Sequence, residues 1–265
     1  MNTMVYRTPI AWMFALSAMG CKKVDEAPKE YESALAYMFE HFDDEDPERL
    51  VETVEFLDEW LVGADLEAAE EGLSIQNLPQ SAVGGLAGHA HKTDGLEGVS
   101  LATSSRYPTC MLMEALTQYS FARMMPDVYI TYDREFDSGQ DCIATRDCLW
   151  AEGSVYSVAD WGVLGEVTAD RRIEYRWIET AEGWAFLQRW WLTEESTGTR
   201  LGLSIGDQYY IGINFPDGDG TRRIHGSWLT MEMVTGDAST GASKQLIKNW
   251  KKDAEDLDAW ISANL

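Results

Sequence analysis

The chain has 265 residues with 45 acidic and 21 basic side chains, a formal charge of −24. Phosphate backbones are held by Lys and Arg, so a surplus of acids this large argues against a nucleic-acid partner. It also disfavours contact between the folded part of the chain and anionic lipid headgroups.

Residues 10–19, IAWMFALSAM, form an apolar run behind a segment whose one charged side chain is Arg7. A short basic region, an apolar core of about ten residues and small residues at its end make the pattern of a secretory signal. The run is shorter than the ~20 residues that cross a bilayer. Ala18-Met19-Gly20-Cys21 resembles the lipobox of bacterial lipoproteins, whose cysteine is acylated and becomes the first residue. Leucine is usual where Ala18 stands, and here Leu16 lies two places further back. The resemblance implies a signal peptide over 1–20, a lipid on Cys21 and a membrane contact made through that lipid. Lys22 stands where an inner-membrane retention signal would place aspartate, which points to the outer membrane, facing the periplasm.

An exported chain meets oxidising conditions, so Cys142 and Cys148, flanking IATRD, are expected to form a disulfide. The alternatives are two free thiols, or zinc, for which no histidine is close in sequence. Cys110, in the apolar CMLM run, is expected to be a small buried hydrophobe.

A tether over 21–29 leads into a strongly acidic region: residues 22–71 hold 18 acids and 4 bases. Tyr31, Leu35, Met38, Phe39 and Phe42 recur at helical spacing. Asp46-Pro47 reads as an N-cap and first-turn proline, opening a second helix with Leu50, Val51, Val54, Leu57 and Leu61 on one stripe and Phe56 and Trp60 widening it. The acids of DDEDPE suit the positive end of that helix; they lack the glycine and ligand spacing of a calcium loop. An acidic helical hairpin is therefore expected over 30–72, packed against the rest of the chain. Residues 73–98 read as a glycine-rich connection.

From Val99 the pattern becomes that of strands. GVSLATSSRY reads as a strand, PTCMLMEALTQ as a helix, and DVYITYDREF as a strand. In RRIEYRWIE, Ile173, Tyr175 and Trp177 alternate with Arg172, Glu174 and Arg176. WAFLQRWWL sets Trp184, Phe186, Trp190 and Leu192 on one face, TRLGLSI aligns Leu201, Leu203 and Ile205, and DQYYIGINF aligns Tyr209, Ile211, Ile213 and Phe215. PDGDG is a hairpin turn before TRRIHGSWLTMEMV. Glycines at 202, 212 and 226 fall within these strands and allow bending. The chain closes on a long amphipathic helix with Leu246, Ile247, Trp250, Ala254, Leu257, Trp260 and Ile261 on its apolar stripe.

The fold class is thus α+β, a curved antiparallel sheet packed on a long C-terminal helix. In element order, residues 99–265 resemble the helix-grip fold of the START-like (SRPBCC) superfamily. That resemblance implies a cavity between sheet and last helix that often holds an apolar ligand. If the strand parities hold, Tyr175, Trp177, Phe186, Trp190 and Trp228 face Trp250 there, with Gln188 among them to orient a ligand or find backbone partners. A close-packed aromatic core is the alternative.

His89-Ala-His91 with Asp94 offers metal ligands, but the pair sits in a glycine-rich loop at a spacing common by chance, so no metal site and no cofactor are expected. His225 reads as a satisfied histidine of the last strand. No serine elbow, HExxH helix or phosphate loop is present, and the chain is not expected to be an enzyme. The expected role is binding of an apolar small molecule or lipid; the alternative is an envelope interaction protein whose acidic helical region docks a basic protein partner.

Overall fold

The apolar stripes near the start of the acidic region form two helices, α1 (Tyr31–Glu40) and α2 (Glu48–Gly63). The computed structural model describes residues 26–64, 71–233 and 239–265, so the signal-like segment and Cys21 lie outside the described residues. Pro47 occupies the N-cap of α2 rather than its first turn. Asp46 still caps the helix, its Oδ1 accepting from the Glu48 amide at 3.1 Å.

Nine strands make one antiparallel sheet: β1 (Leu73–Ser74), β2 (Glu97–Ser105), β3 (Tyr129–Ser138), β4 (Trp150–Asp160), β5 (Glu166–Thr180), β6 (Gly183–Leu192), β7 (Ser196–Gly198), β8 (Ser204–Asp217) and β9 (Gly220–Glu232). Their order is β1-β2-β9-β8-β6-β5-β4-β3, with the short β7 pairing β5 and β8. Among the described residues, four short helices, α3 (Gln80–Val83), α4 (Thr109–Gln118), α5 (Phe121–Met124) and α6 (Gln140–Ile143), lie in the connections, and α7 (Ser239–Asn264) follows β9. The fold is therefore α+β, with a large antiparallel sheet packed on a long C-terminal helix, as the sequence predicts. Cys142 and Cys148 are joined by a disulfide beside α6.

Helices cover both faces of the central strands. On one face, Leu187, Trp191, Tyr209, Ile211, Ile213, Phe215, Ile224 and Trp228 pack with Leu35, Phe39, Leu50, Val54 and Leu57 of α1 and α2. At Gly226 an added Cβ would sit 3.1 Å from Ile211 and 3.2 Å from Leu35, so the glycine lets α1 press on the strand. On the other face, Ile173, Tyr175, Trp177 and Phe186 pack with Leu112, Leu116, Leu257 and Ile261, while Leu101, Tyr210 and Leu229 meet Leu246 and Trp250.

Two-sided burial explains the expectation that fails for Trp228. It points to the α1–α2 face, where its Nε1 donates to the Gln76 carbonyl at 2.8 Å, away from Trp250. A strand buried on both faces is apolar almost throughout, so alternation does not tell its sides apart. TRLGLSI is likewise no single strand: Leu201 (φ 59°) and Gly202 (φ 59°) turn the chain between β7 and β8, and Leu201 is exposed. Cys110 is exposed, because Thr109, Leu112, Met113 and Leu116 take the buried side of α4.

A buried ion pair within the sheet also holds the end of α1, and Arg222 of β9 pairs with Asp58 of α2 at 2.9 Å. Arg189 of β6 and Glu174 of β5 are 2% and 8% exposed, with Arg189 Nη2 and Nε at 2.6 and 2.7 Å from Glu174 Oε2. Arg189 also donates to the Phe39 carbonyl at the end of α1 (2.8 Å), lies 4.8 Å from the Phe42 ring centre, and is 3.6 Å from Asp43. Burial outweighs the pull of Arg189 and holds the Glu174 carboxyl above its usual range. Replacing Arg189 alone by Met strands that carboxyl and is expected to cost about 3–5 kcal/mol in urea unfolding. The double variant E174L/R189M is expected to recover most of the loss, because both buried charges then go together.

Candidate functional site

The residues between the sheet and α7 do not close completely. A cavity of about 70 Å³ is bounded by Gln188, Trp190, Tyr210, His225, Trp250 and Asp253, among others. A second, of about 40 Å³, adjoins it across Gln188 and Trp190 and reaches Tyr132, Val155 and Arg171. The first places Gln188 and Trp190 of β6 against α4, α5 and α7, and the second sets the same two against α5 and strands β3 to β5.

The polar groups here come from three elements. On β8, Tyr210 lies along the strand, and a Cβ at Gly212 would be 2.6 Å from its hydroxyl; the glycine makes room for that path. The hydroxyl so placed meets Nδ1 of His225, the β9 partner of Gly212, at 2.8 Å. Thr103 Oγ1 takes the other ring nitrogen at 3.1 Å, and Trp250 stacks on the imidazole with centroids 5.6 Å apart. Burial first, and the nearby Arg223 second, push His225 well below its ordinary value, so the ring is neutral. Arg223 gives its Nε to Asn214 Oδ1 at 2.9 Å.

Gln188 and Asp253 complete the polar lining. Gln188 is 6% exposed and borders both cavities. Asp253 of α7 has a fully shielded Oδ1 with no partner among the described residues. Its carboxyl is pushed up to about 7: burial outweighs the attraction of Arg223, and Asp256 adds to the rise.

A larger open groove of about 470 Å³ runs over β3 to β5, bounded by Asp133, Arg134, Asp170, Arg171 and Arg172. It shares Val155 and Arg171 with the smaller cavity. Arg171 donates to Ser157 Oγ at 2.6 Å, and its guanidinium lies 4.8 Å over the Trp190 ring, so this stacked pair divides groove from interior.

Of the residues expected to bind ligand, Gln188, Trp190 and Trp250 line the cavity. Tyr175, Trp177 and Phe186 lie on the same face but are packed: Tyr175 stacks on Phe186 at 5.6 Å, and Trp177 Nε1 donates to the Ile143 carbonyl at 2.9 Å. Trp228 is on the opposite face. Tyr129, Tyr210, Arg223, His225 and Asp253 are among the lining residues that periodicity did not single out. Asp253 left a trace, since it stands three residues after Trp250 and four before Leu257, an acid beside an apolar stripe.

No family model matches the chain, and no curated protein matches it. Among solved structures, it is similar to a protein from Thermus thermophilus at 14% identity and a TM-score of 0.44, covering 63% of this chain and 97% of that one. It is also similar to the lipid transfer and protein localization domain of human StarD13, at 11% identity and a TM-score of 0.40, covering 76% and 95%. A START superfamily protein from Mycobacterium smegmatis matches at 9% identity and 0.40, covering 63% and 99%.

The Asp253 carboxyl has a measurable consequence. Between the ordinary value of 3.8 and about 7, the unfolded chain gives up this proton while the folded chain keeps it. Its contribution to stability therefore falls as pH rises through that window. Asp253→Asn is expected to remove this fall, so the variant gains on the wild type progressively from about pH 4 to about pH 7 in urea titrations at fixed temperature.

Proposed function

We propose that the chain is an exported, lipid-anchored protein of the cell envelope that binds a small, largely apolar molecule bearing a hydrogen-bond donor. The ligand sits between the sheet and α7. The observation that carries this reading is the shielded, unpartnered Asp253 Oδ1, with Gln188 on the same cavity among aromatic walls. A buried polar group without a partner costs about 1–3 kcal/mol, and a ligand that supplies one recovers that cost. Asp253 is the acceptor, Gln188 fixes orientation, and Trp190, Tyr210 and Trp250 provide the apolar surface.

The inner cavity, at about 70 Å³, is smaller than the ~300–1,000 Å³ of sites for drug-sized ligands. The outer groove, about 470 Å³, falls within that range. Swinging Arg171 off Trp190 joins the two, so these side chains serve as the entry point. The lipobox-like Ala18 to Cys21 supports the anchor, and the disulfide between Cys142 and Cys148 supports an oxidising compartment.

Native mass spectrometry, tryptophan fluorescence and thermal shifts against a panel of envelope lipids and hydrophobic metabolites test the binding reading. A co-purifying or shifting ligand is expected, with at least a tenfold loss of affinity in Gln188→Leu. A panel that leaves fluorescence and melting unchanged would sink it. Intact mass of chain extracted from bacterial membranes tests the anchor: a start at Cys21 with added acyl mass is expected, and an unmodified full-length chain would refute it.

A further inference from the structure

On the α1–α2 face, at one end of β8, three side chains converge that the ligand cavity does not use. His89 Nε2 lies 3.0 Å, and His91 Nδ1 3.2 Å, from the same oxygen, Oδ1 of Asp207. Asp207, 116 residues beyond His91, takes the place that sequence proximity suggested for Asp94. It gets there through a bulge: β8 and β9 pair at Ile205↔Met231 and next at Gln208↔Leu229, leaving Gly206 and Asp207 opposite Thr230. Bulges re-aim side chains in this way. Thr230 Oγ1 accepts from the Asp207 amide at 2.9 Å, and the Tyr209 hydroxyl donates to Oδ1 at 2.8 Å.

The far side of each imidazole fixes its tautomer. His89 Nδ1 lies 3.1 Å from the Thr193 carbonyl, and His91 Nε2 lies 3.2 Å from the Ala87 carbonyl. A carbonyl can only accept, so those two nitrogens carry the hydrogens. In the neutral rings, His89 Nε2 and His91 Nδ1 then present lone pairs to a carboxylate oxygen, which is itself an acceptor. Three electron-pair donors thus converge with no hydrogen between either ring and the carboxylate. A metal cation among the three resolves that arrangement without adding a proton. Protonating both rings would put two positive charges on imidazoles with centroids 4.5 Å apart, one of them on a His91 side chain that is 2% exposed.

We propose that His89, His91 and Asp207 bind a divalent transition-metal ion of the zinc class. Two imidazole nitrogens and a carboxylate oxygen suit Zn²⁺, and each ring's remaining N–H is held by a backbone carbonyl, as ligating histidines usually are. The candidate ligand atoms lie within 4.8 Å of one another. Bonds of about 2.0–2.2 Å in a tetrahedron place ligands roughly 3.4 Å apart, close to the two separations that Oδ1 already makes. His91 is buried and the His89 side chain is 29% exposed, so the fourth position opens to water on the His89 side.

The surrounding loop is built to hold this geometry. The His89 amide donates to the Thr193 carbonyl at 2.9 Å, and a Cβ at Gly88 (φ +122°) would lie 2.6 Å from that same oxygen. Trp191 Nε1 shares the Ala87 carbonyl with His91 at 2.9 Å, and Gln80 Nε2 holds the His91 carbonyl at 3.0 Å. The ion fastens the loop after α3 to the sheet, and Trp191 beside it supplies an intrinsic reporter.

The test uses the untagged full chain, stripped with a chelator and titrated with Zn²⁺ and separately with Co²⁺. One equivalent of Zn²⁺ is expected by calorimetry and elemental analysis, with a rise in melting temperature that the chelator reverses. Co²⁺ is expected to develop visible d–d bands of a low-symmetry four-coordinate site. His91→Ala and Asp207→Asn are expected to weaken binding at least 100-fold, and His89→Gln, at the more exposed ligand, guards against a folding defect in the other two. His41→Ala, just past α1 and away from the site, is expected to bind as the wild type does. Equal Zn²⁺ binding by all these variants, or none by the wild type, would overturn the proposal. So would imidazole NMR showing both rings doubly protonated with Zn²⁺ present.

Discussion

The hairpin of α1 and α2 is acidic, and it is held on the sheet by a cation. Arg189 rises from the middle of β6 into an apolar layer, where an isolated charge would be intolerable. It is tolerated because Glu174 on the next strand matches it and the Phe39 carbonyl accepts a further hydrogen bond. Arg176 repeats the device one pair along by donating to the Phe42 carbonyl. The α1 end and the turn after it are thereby fixed over β5 and β6. With them are fixed the burial of Leu35, Phe39 and Phe42, and the strong apolarity of β8 and β9 on that side. A sheet covered only by α7 would leave Trp191, Tyr209 and Trp228 to solvent.

Much of this is legible where periodicity has one clear side. Both acidic helices, β3, β5 and α7 follow from stripes and alternations, because each has a polar face against which the apolar one stands out. The central strands are harder. In QYYIGINF and RRIHGSW successive side chains are buried on opposite faces, so Trp228 and Tyr210 cannot be assigned a side without knowing what covers each face. The turn at Leu201 and Gly202 is hidden by an alternation that continues through it by accident.

The candidate sites show a different limit. Gln188 and Trp190 can be read in advance because a glutamine in an aromatic strand is conspicuous. The rest of the chamber depends on register. Gly212 opposite His225 lets Tyr210 bond to that ring, and neither residue announces the other in the sequence. The same holds for Asp207, which reaches the histidine loop only because β8 carries an irregularity near its start. A bulge leaves no compositional signature beyond the Gly206 that precedes the acid.

Burial on both faces also has a thermodynamic consequence. Tyr209 bonds to Asp207 on one side of β8, and Tyr210, the very next residue, bonds to His225 on the other. Trp191 and Trp190 on β6 divide in the same manner, one towards the histidine loop and one towards the cavity under α7. The two regions are therefore separated by the thickness of a single backbone, though nothing passes between them. Any occupant that repositions these strands from one side changes the free energy of occupancy on the other, and linkage makes the effect equal in both directions.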